Sequence, residues 1–344
     1  MAEIIIRQEG AAGWITLNRP KALNALTHEI CLAVEEALDR WRADAAVKLV
    51  ILDGAGERAF CAGGDIAQVY YAGKAGDHSV GRDFWRDEYR MNVKLARYEK
   101  PIVAFLHGFV MGGGVGLGGH VSHRMVGEST QVSMPECGIG LIPDVGGTYL
   151  LGRAPGHLGP YLGLSGARMG PGDAIHAGFA DAFVPEAEWE GVKAKLAETG
   201  HVGALPRHDA PESPLASAQA EIDRLFAGAT VPAIAAAQEA DGGEVAGAAL
   251  KAVRRNSPLS MASTLAMLRP PPGDIVTAIR QEFRWTWRSM DKGDFLEGVR
   301  AQIIDKDRDP KWRHARPEDV TEAEVAAMLA PLGDDEWDEW EETK

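Results

Sequence analysis

The stretch Met111-Gly112-Gly113-Gly114-Val115-Gly116-Leu117-Gly118-Gly119 constrains this chain more than any other. It follows Pro101-Ile102-Val103-Ala104-Phe105-Leu106, an apolar run with the length and composition of a buried strand. Glycines after a strand permit a sharp turn, or the close approach of another group to bare backbone. A helix opening inside the cluster would aim its free N–H groups and positive dipole end at whatever lies there. That suits an anion, or an oxygen that becomes one during a reaction. Tight packing of a helix on a sheet accounts for the same glycines, so their surroundings must decide.

Strand and helix runs alternate through about residue 200. Glu3–Arg7 and Gly13–Leu17 predict a hairpin, and Lys48–Gly54 a buried strand. Thr27 is a candidate N-cap, with Ile30, Val34, Ala37, Leu38 and Trp41 recurring at helical spacing after it. Asn18–Leu26 is too interrupted by proline for an element. Phe60–Ile66, with Gly63-Gly64, is a second place where backbone is laid bare. Phe84–Glu99 predicts a helix, as does Glu188–Glu198. His123–Val126, Gln131–Met134 and Ala182–Val184 predict strands. The alternation argues an α/β domain. Residues 201–216 are rich in proline and polar groups, and beyond them the chain is alanine-rich and helical, broken at Pro270-Pro271-Pro272-Gly273. The expected division is residues 1–205 as a core and 206–344 as a mainly helical region with an acidic tail.

Charge narrows the partners. The net charge of −14 argues against nucleic acid. Eleven acids and one lysine lie between Glu318 and Lys344, so the rest is nearly neutral and an anionic ligand remains compatible. The tail charges recur around Trp337 and Trp340 without a clear apolar face, which predicts a surface segment or a flexible end. Cys31, Cys61 and Cys137 cannot all pair and lack metal spacing, which with no signal-like N-terminus predicts a reducing, cytosolic compartment. No run approaches the length of a membrane span.

Four motif matches fail on their details. Gly114-x-Gly116-x-x-Gly119 fits a dinucleotide fingerprint, with Glu136 about twenty residues on, but His107–Met111 separates it from the strand. No Gly-Lys-Ser/Thr follows the glycines, as a phosphate-binding P-loop requires. His120-x-x-His123 lacks a third metal ligand. Asp305-x-Asp307-x-Asp309 begins like a calcium loop, but Pro310 stands where glycine is needed and Arg316 where glutamate is. No metal is expected.

Two acids in an apolar, turn-rich stretch are a stronger signal. Met134–Gly147 contains Glu136 and Asp144 among glycines, prolines and aliphatics. Burial there would raise the pKa of one or both, as acid/base work at neutral pH requires.

Asn18–Leu26, Phe60–Ile66, His107–Leu117, Met134–Gly147 and Asp294–Ala301, continued by Ile304–Asp307 and Pro310–Trp312, together resemble the crotonase (enoyl-CoA hydratase/isomerase) superfamily. The match is closely similar to its 3-hydroxyisobutyryl-CoA hydrolase branch, which the C-terminal segments from Asp294 onward separate from ordinary hydratases. The resemblance implies a crotonase-like spiral of ββα units with a helical C-terminal region. It implies that the backbone N–H groups of Gly64 and Gly113 hold a thioester carbonyl. It places Lys21, Ala22, Leu23, Asn24, Ala62, Asp65 and Ile66 around coenzyme A, with Lys21 near phosphate. Coenzyme A then belongs to the substrate, and no separate cofactor is expected. Homo-oligomers are common in the superfamily.

Departures from the hydratase pattern point to the reaction. Hydratases need two glutamates; one corresponds to Glu136, the other falls at Gly116. Asp144 stands where hydratases have glycine and the hydrolase branch has aspartate. Thioester hydrolysis fits this pair, with Glu136 as base or nucleophile and the second carboxylate moving protons. The implied reaction is hydrolysis of a short branched 3-hydroxyacyl-CoA in valine breakdown. Enoyl-CoA isomerisation, which also tolerates Gly116, is the alternative; a scaffold with a vestigial pocket would have no need of Gly64, Gly113, Glu136 and Asp144 together.

Overall fold

The computed structural model describes residues 2–338. Among these residues nine strands form two sheets. β1 (Ile4–Glu9), β2 (Ala12–Leu17), β3 (Leu49–Gly54), β5 (Ile102–Leu106), β7 (His123–Val126) and β9 (Ala182–Phe183) lie side by side in that order. Only the β1–β2 hairpin is antiparallel; the other pairings are parallel. β4 (Ala59–Cys61), β6 (Phe109–Met111) and β8 (Gln131–Ser133) make a second, parallel sheet.

The uninterrupted apolar runs follow from burial on both faces. Along β3, Val50 and Leu52 enter the main core, while Leu49 and Ile51 enter a second cluster under helix Trp189–Thr199. β5 alternates likewise: Ile102, Ala104 and Leu106 on one side, Val103 and Phe105 on the other. Helix His28–Ala43 begins at Thr27, whose hydroxyl accepts from the Ile30 N–H, and buries the expected Ile30, Val34, Ala37, Leu38 and Trp41.

The chain winds through three similar turns. β3 leads to β4 and then helices Ala67–Lys74 and Ser79–Ala96. β5 leads to β6 and the short helix Gly113–Gly118, and β7 to β8 and helix Gly147–Arg153. This is the expected spiral of ββα units. The residues between Leu106 and the glycine cluster therefore include a strand of the other sheet, which is why no dinucleotide loop forms there.

The carboxyl ends of β4, β6 and β8 lie together, and ligands of parallel sheets bind at such ends. Gly64 follows β4 by three residues, Gly113 follows β6 by two, and Glu136 follows β8 by three. After four helices between Pro214 and Met267, helix Ile275–Lys292 packs on Ser79–Ala96.

Candidate active site

Gly63 and Gly112 shape the two loops that meet. Gly63 takes φ +113° and Gly112 φ +49°, a region L side chains rarely adopt. The bridge between Leu26 and Gly64 uses the N–H of Leu26 to Gly63 (2.9 Å) and the N–H of Asp65 to Leu26 (2.7 Å). Gly64's own N–H therefore faces away from Leu26. Gly113 opens a helix, so its N–H has no acceptor within the first turn. A Cβ built on Gly113 would stand 3.4 Å from the Gly64 nitrogen, so the two glycines are neighbours across the loops.

Carboxyl groups surround this pair of peptides. Glu136 Oε1 lies 2.8 Å from where a Cβ on Gly112 would be, so only glycine lets it come so close. Its other oxygen, Oε2, is buried without a partner. Burial first, then the Asp144 charge, raises the Glu136 pKa well above the carboxylate range. Asp144 accepts a hydrogen bond from the Tyr89 hydroxyl at 2.7 Å. Burial raises its pKa to about 6, and the Tyr89 donor pulls the other way. The structure thus brings Glu136 and Asp144 into one electrostatic unit with different affinities for a proton.

The Asp144 loop is held from three sides. Tyr89 grips the carboxylate, His120 Nε2 meets the Val145 carbonyl at 2.8 Å, and Glu282 accepts from the N–H groups of Gly146 (2.7 Å) and Thr148 (2.9 Å). Burial pushes Glu282 up to about 8 against those donors. Val145 sits at φ +55°, a strained position for a β-branched residue. Its Cβ would lie 2.7 Å from a Cβ on Gly116, and Asn92 Nδ2 2.9 Å from it. No side chain fits at Gly116 without moving that loop.

The two segments expected around coenzyme A are also adjacent. Ala62 N–H donates to the Leu23 carbonyl at 3.0 Å. Lys21 and Ala22 are exposed on a short turn, and Ala62, Asp65 and Ile66 are half-buried nearby. Asp65 pairs with Arg19 at 2.9 Å. A cleft of about 100 Å³ beside Asp65 is lined by Thr27, His28, Gln68, Val69, Val80 and Phe84. Asn24 differs from its neighbours: it is buried, with its amide donating to Ala55 and Ala59 and accepting from the Arg19 N–H. It holds the turn together and has no amide group left for a ligand. A larger cavity, about 570 Å³ between the Pro258–Met267 and Glu322–Leu329 helices, is lined by none of the residues singled out from the sequence.

Sequence reasoning missed Glu88, Tyr89, Asn92 and Glu282, all buried here. A signal existed. Glu88 shares a helical stripe with Phe84 and Trp85, and Glu282 one with Ala278, Ile279 and Trp285, so each is an acid on an apolar face. Among the described residues, no group of three or more His, Cys, Asp or Glu could hold a metal, and no helix is long and apolar enough to cross a membrane.

The tail expectation needs correction. Trp337 is fully buried, its indole N–H donating to the Arg86 carbonyl at 3.2 Å, and Glu336 pairs with Arg284 at 2.9 Å. The acidic segment docks on helix Ile275–Lys292 at least through Asp338, which pairs with Arg280. Arginines spaced along that helix supply the complement that a one-dimensional charge count cannot display. Trp340 lies outside the described residues.

Comparison with known proteins shows what the chain is similar to. Proteins named 3-hydroxyisobutyryl-CoA hydrolase, mitochondrial, are 37% identical in Gallus gallus (97% of this chain, 90% of that one) and 39% identical in Xenopus tropicalis (96% and 89%). A structure titled enoyl-CoA hydratase from Rhodobacter sphaeroides is 55% identical, with TM-score 0.96 over 98% of this chain and 100% of the other. One titled carnitinyl-CoA dehydratase from Mycobacterium thermoresistibile is 43% identical, with TM-score 0.94 over 98% and 99%. The mitochondrial relatives overturn the cytosolic placement, since unpaired cysteines report a reducing compartment without saying which. The enoyl-CoA hydratase/isomerase family profile matches residues 12–329, and the chain belongs to that family.

Proposed function

We propose that this protein hydrolyses the thioester of a short branched 3-hydroxyacyl-CoA, 3-hydroxyisobutyryl-CoA in the first instance, to the free acid and coenzyme A. The observation that carries this is the buried pair Glu136–Asp144 beside Gly116, where Val145 and Asn92 leave no room for a second glutamate. The hydrolase names of the relatives support it, and such a product fits valine breakdown.

The charge states suggest how the pair divides the work. Asp144, with its pKa at about 6, gives up its proton more readily than Glu136, whose carboxyl burial and then the Asp144 charge push well above the carboxylate range. Asp144, rather than Glu136 as the sequence suggested, takes a proton from water as the water oxygen bonds to the thioester carbon. The charge that develops on the carbonyl oxygen rests on the N–H groups of Gly64 and Gly113, each worth about 3–4 kcal/mol in comparable oxyanion sites. As the carbon–sulfur bond breaks, Glu136 gives its proton to sulfur, and coenzyme A leaves as the thiol. Lys21, Ala22, Leu23, Ala62, Asp65 and Ile66 flank the route by which the nucleotide end would reach the site.

Isomerisation of an enoyl-CoA would use Glu136 alone and would leave the Tyr89–Asp144 arrangement without a task. Incubation with 3-hydroxyisobutyryl-CoA and with a 3-enoyl-CoA, while following free thiol, separates the two. Thiol release from the first supports hydrolysis; double-bond migration in the second without thiol release from either supports isomerisation.

A further inference from the structure

Helix Ser79–Ala96 turns one stripe of side chains toward the glycine loops. Phe84, Glu88 and Asn92 recur every four residues and so share a face. Cβ atoms built on Gly64, Gly113 and Gly116 would lie 3.3 Å from the Phe84 ring, 2.7 Å from Glu88 Oε1 and 2.9 Å from Asn92 Nδ2 respectively. Glu88 is 3% exposed and Asn92 0%. Yet Glu88 Oε1 and both polar atoms of the Asn92 amide have no hydrogen-bond partner among the described residues. Buried polar groups are overwhelmingly partnered. Two orphaned side chains on one stripe, both against the same glycine helix, mark a place where a group from outside the chain completes the bonding.

We propose that Glu88 binds the hydroxyl on carbon 3 of the acyl chain, and is the residue by which the site tells a 3-hydroxyacyl thioester from a plain acyl one. This rests on the hydrolase function proposed above. The distances suit it. Glu88 Oε1 and the Gly64 nitrogen both lie within 3.4 Å of the Gly113 Cβ position, so they are at most about 6 Å apart. A thioester oxygen held by Gly64 leaves the 3-hydroxyl, four bonds away and so within about 3–5 Å of it, between the carbonyl and Glu88. The chemistry suits it too. Burial, with the Asp144 charge as second cause, raises the Glu88 pKa well above the carboxylate range and so favours the neutral acid. A neutral acid donates and accepts at once, as the hydroxyl does. An acyl chain lacking the hydroxyl leaves the buried acid unpaired, which is the situation in which a site rejects an analogue strongly.

The test compares hydrolysis of 3-hydroxyisobutyryl-CoA and isobutyryl-CoA by wild type, Glu88→Gln and Glu88→Leu, with melting temperatures. Wild type should prefer the hydroxylated substrate in kcat/KM by about tenfold or more. Glu88→Gln, whose amide also donates and accepts, should keep a preference. Glu88→Leu should lose it, falling at least about tenfold further on the hydroxylated substrate than on the plain one. Its melting temperature should not fall, because an orphaned buried acid has been removed. Equal losses on both substrates in Glu88→Leu, or a preference that survives there, would overturn the proposal. So would collapse of both activities in Glu88→Gln, which would make Glu88 a group that must ionise. Wild-type protein that hydrolyses neither thioester overturns the hydrolase function itself, and this proposal with it.

Discussion

The Tyr89 hydroxyl donates to Asp144 Oδ2 at 2.7 Å, while Glu136, the other carboxyl of the pair, has an oxygen buried without a donor. Burial raises both acids, and that asymmetry, with the Asp144 charge acting on Glu136, favours Asp144 as the one that loses its proton first. Asp144 must be ionised to act as base, so kcat/KM should rise with pH through about 6. Glu136 must be protonated to act as acid, so activity should fall again at higher pH, above its raised pKa. Tyr89→Phe removes a donor that stabilises the Asp144 carboxylate. The rising limb should then move to higher pH by about one unit, the value of a hydrogen bond to a charged group. A limb that stays in place contradicts the pairing.

Removing either carboxyl should be costly, and removing both little worse. Glu136→Gln and Asp144→Asn keep the side-chain shape but lose the proton transfer, each lowering kcat by about 10²–10⁴. Groups that act as a unit are not additive, so the double variant should fall near the worse single one. Single-turnover and steady-state rates of all three, at saturating substrate, decide it. Near wild-type turnover in Glu136→Gln would mean that sulfur takes its proton from elsewhere.

Gly116 should resist any side chain. Val145 and Asn92 stand 2.7 and 2.9 Å from the Cβ position, and the Val145 loop is pinned by His120 and Glu282. Gly116→Ala should destabilise by about 1–3 kcal/mol, the usual cost of overpacking. It should also lower hydrolysis by displacing Asp144. Gly116→Glu, the hydratase pattern, should neither fold as well nor gain crotonyl-CoA hydration. Denaturant melts with parallel hydration assays test both points.

The scaffold of this site was legible in the sequence. Buried strands announced themselves as apolar runs, and Gly64, Gly113, Glu136 and Asp144 stood in the segments that carry the family resemblance. What escaped was short or remote. β4 and β6 have three residues each and run straight into glycine-rich loops, and among the described residues they pair with one another and β8. Glu88 and Glu282 sit on long helices far along the chain from residues 136–147, and only folding places them there. Each was nevertheless visible as an acid on an apolar stripe, a conflict that the amphipathic pattern alone passes over.

The C-terminal segment should matter for stability. Trp337→Ala removes a fully buried indole and its bond to Arg86, and should lower stability by about 3–5 kcal/mol. Truncation after Gly333 should do at least as much, since it also removes the Glu336–Arg284 pair on the helix that carries Glu282. Denaturant midpoints within experimental error of wild type would show that the segment is dispensable.

The structural relative titled enoyl-CoA hydratase makes the sharpest comparison available. Purified protein should be given 3-hydroxyisobutyryl-CoA with a thiol reagent and, separately, crotonyl-CoA with its enoyl absorbance followed, and kcat/KM measured for each. With Gly116 in place of a second glutamate, thiol release should exceed hydration by about a hundredfold or more, the scale on which a lost general base acts. Efficient hydration of crotonyl-CoA, with no thiol released from the hydroxyacyl thioester, would contradict the hydrolase function directly.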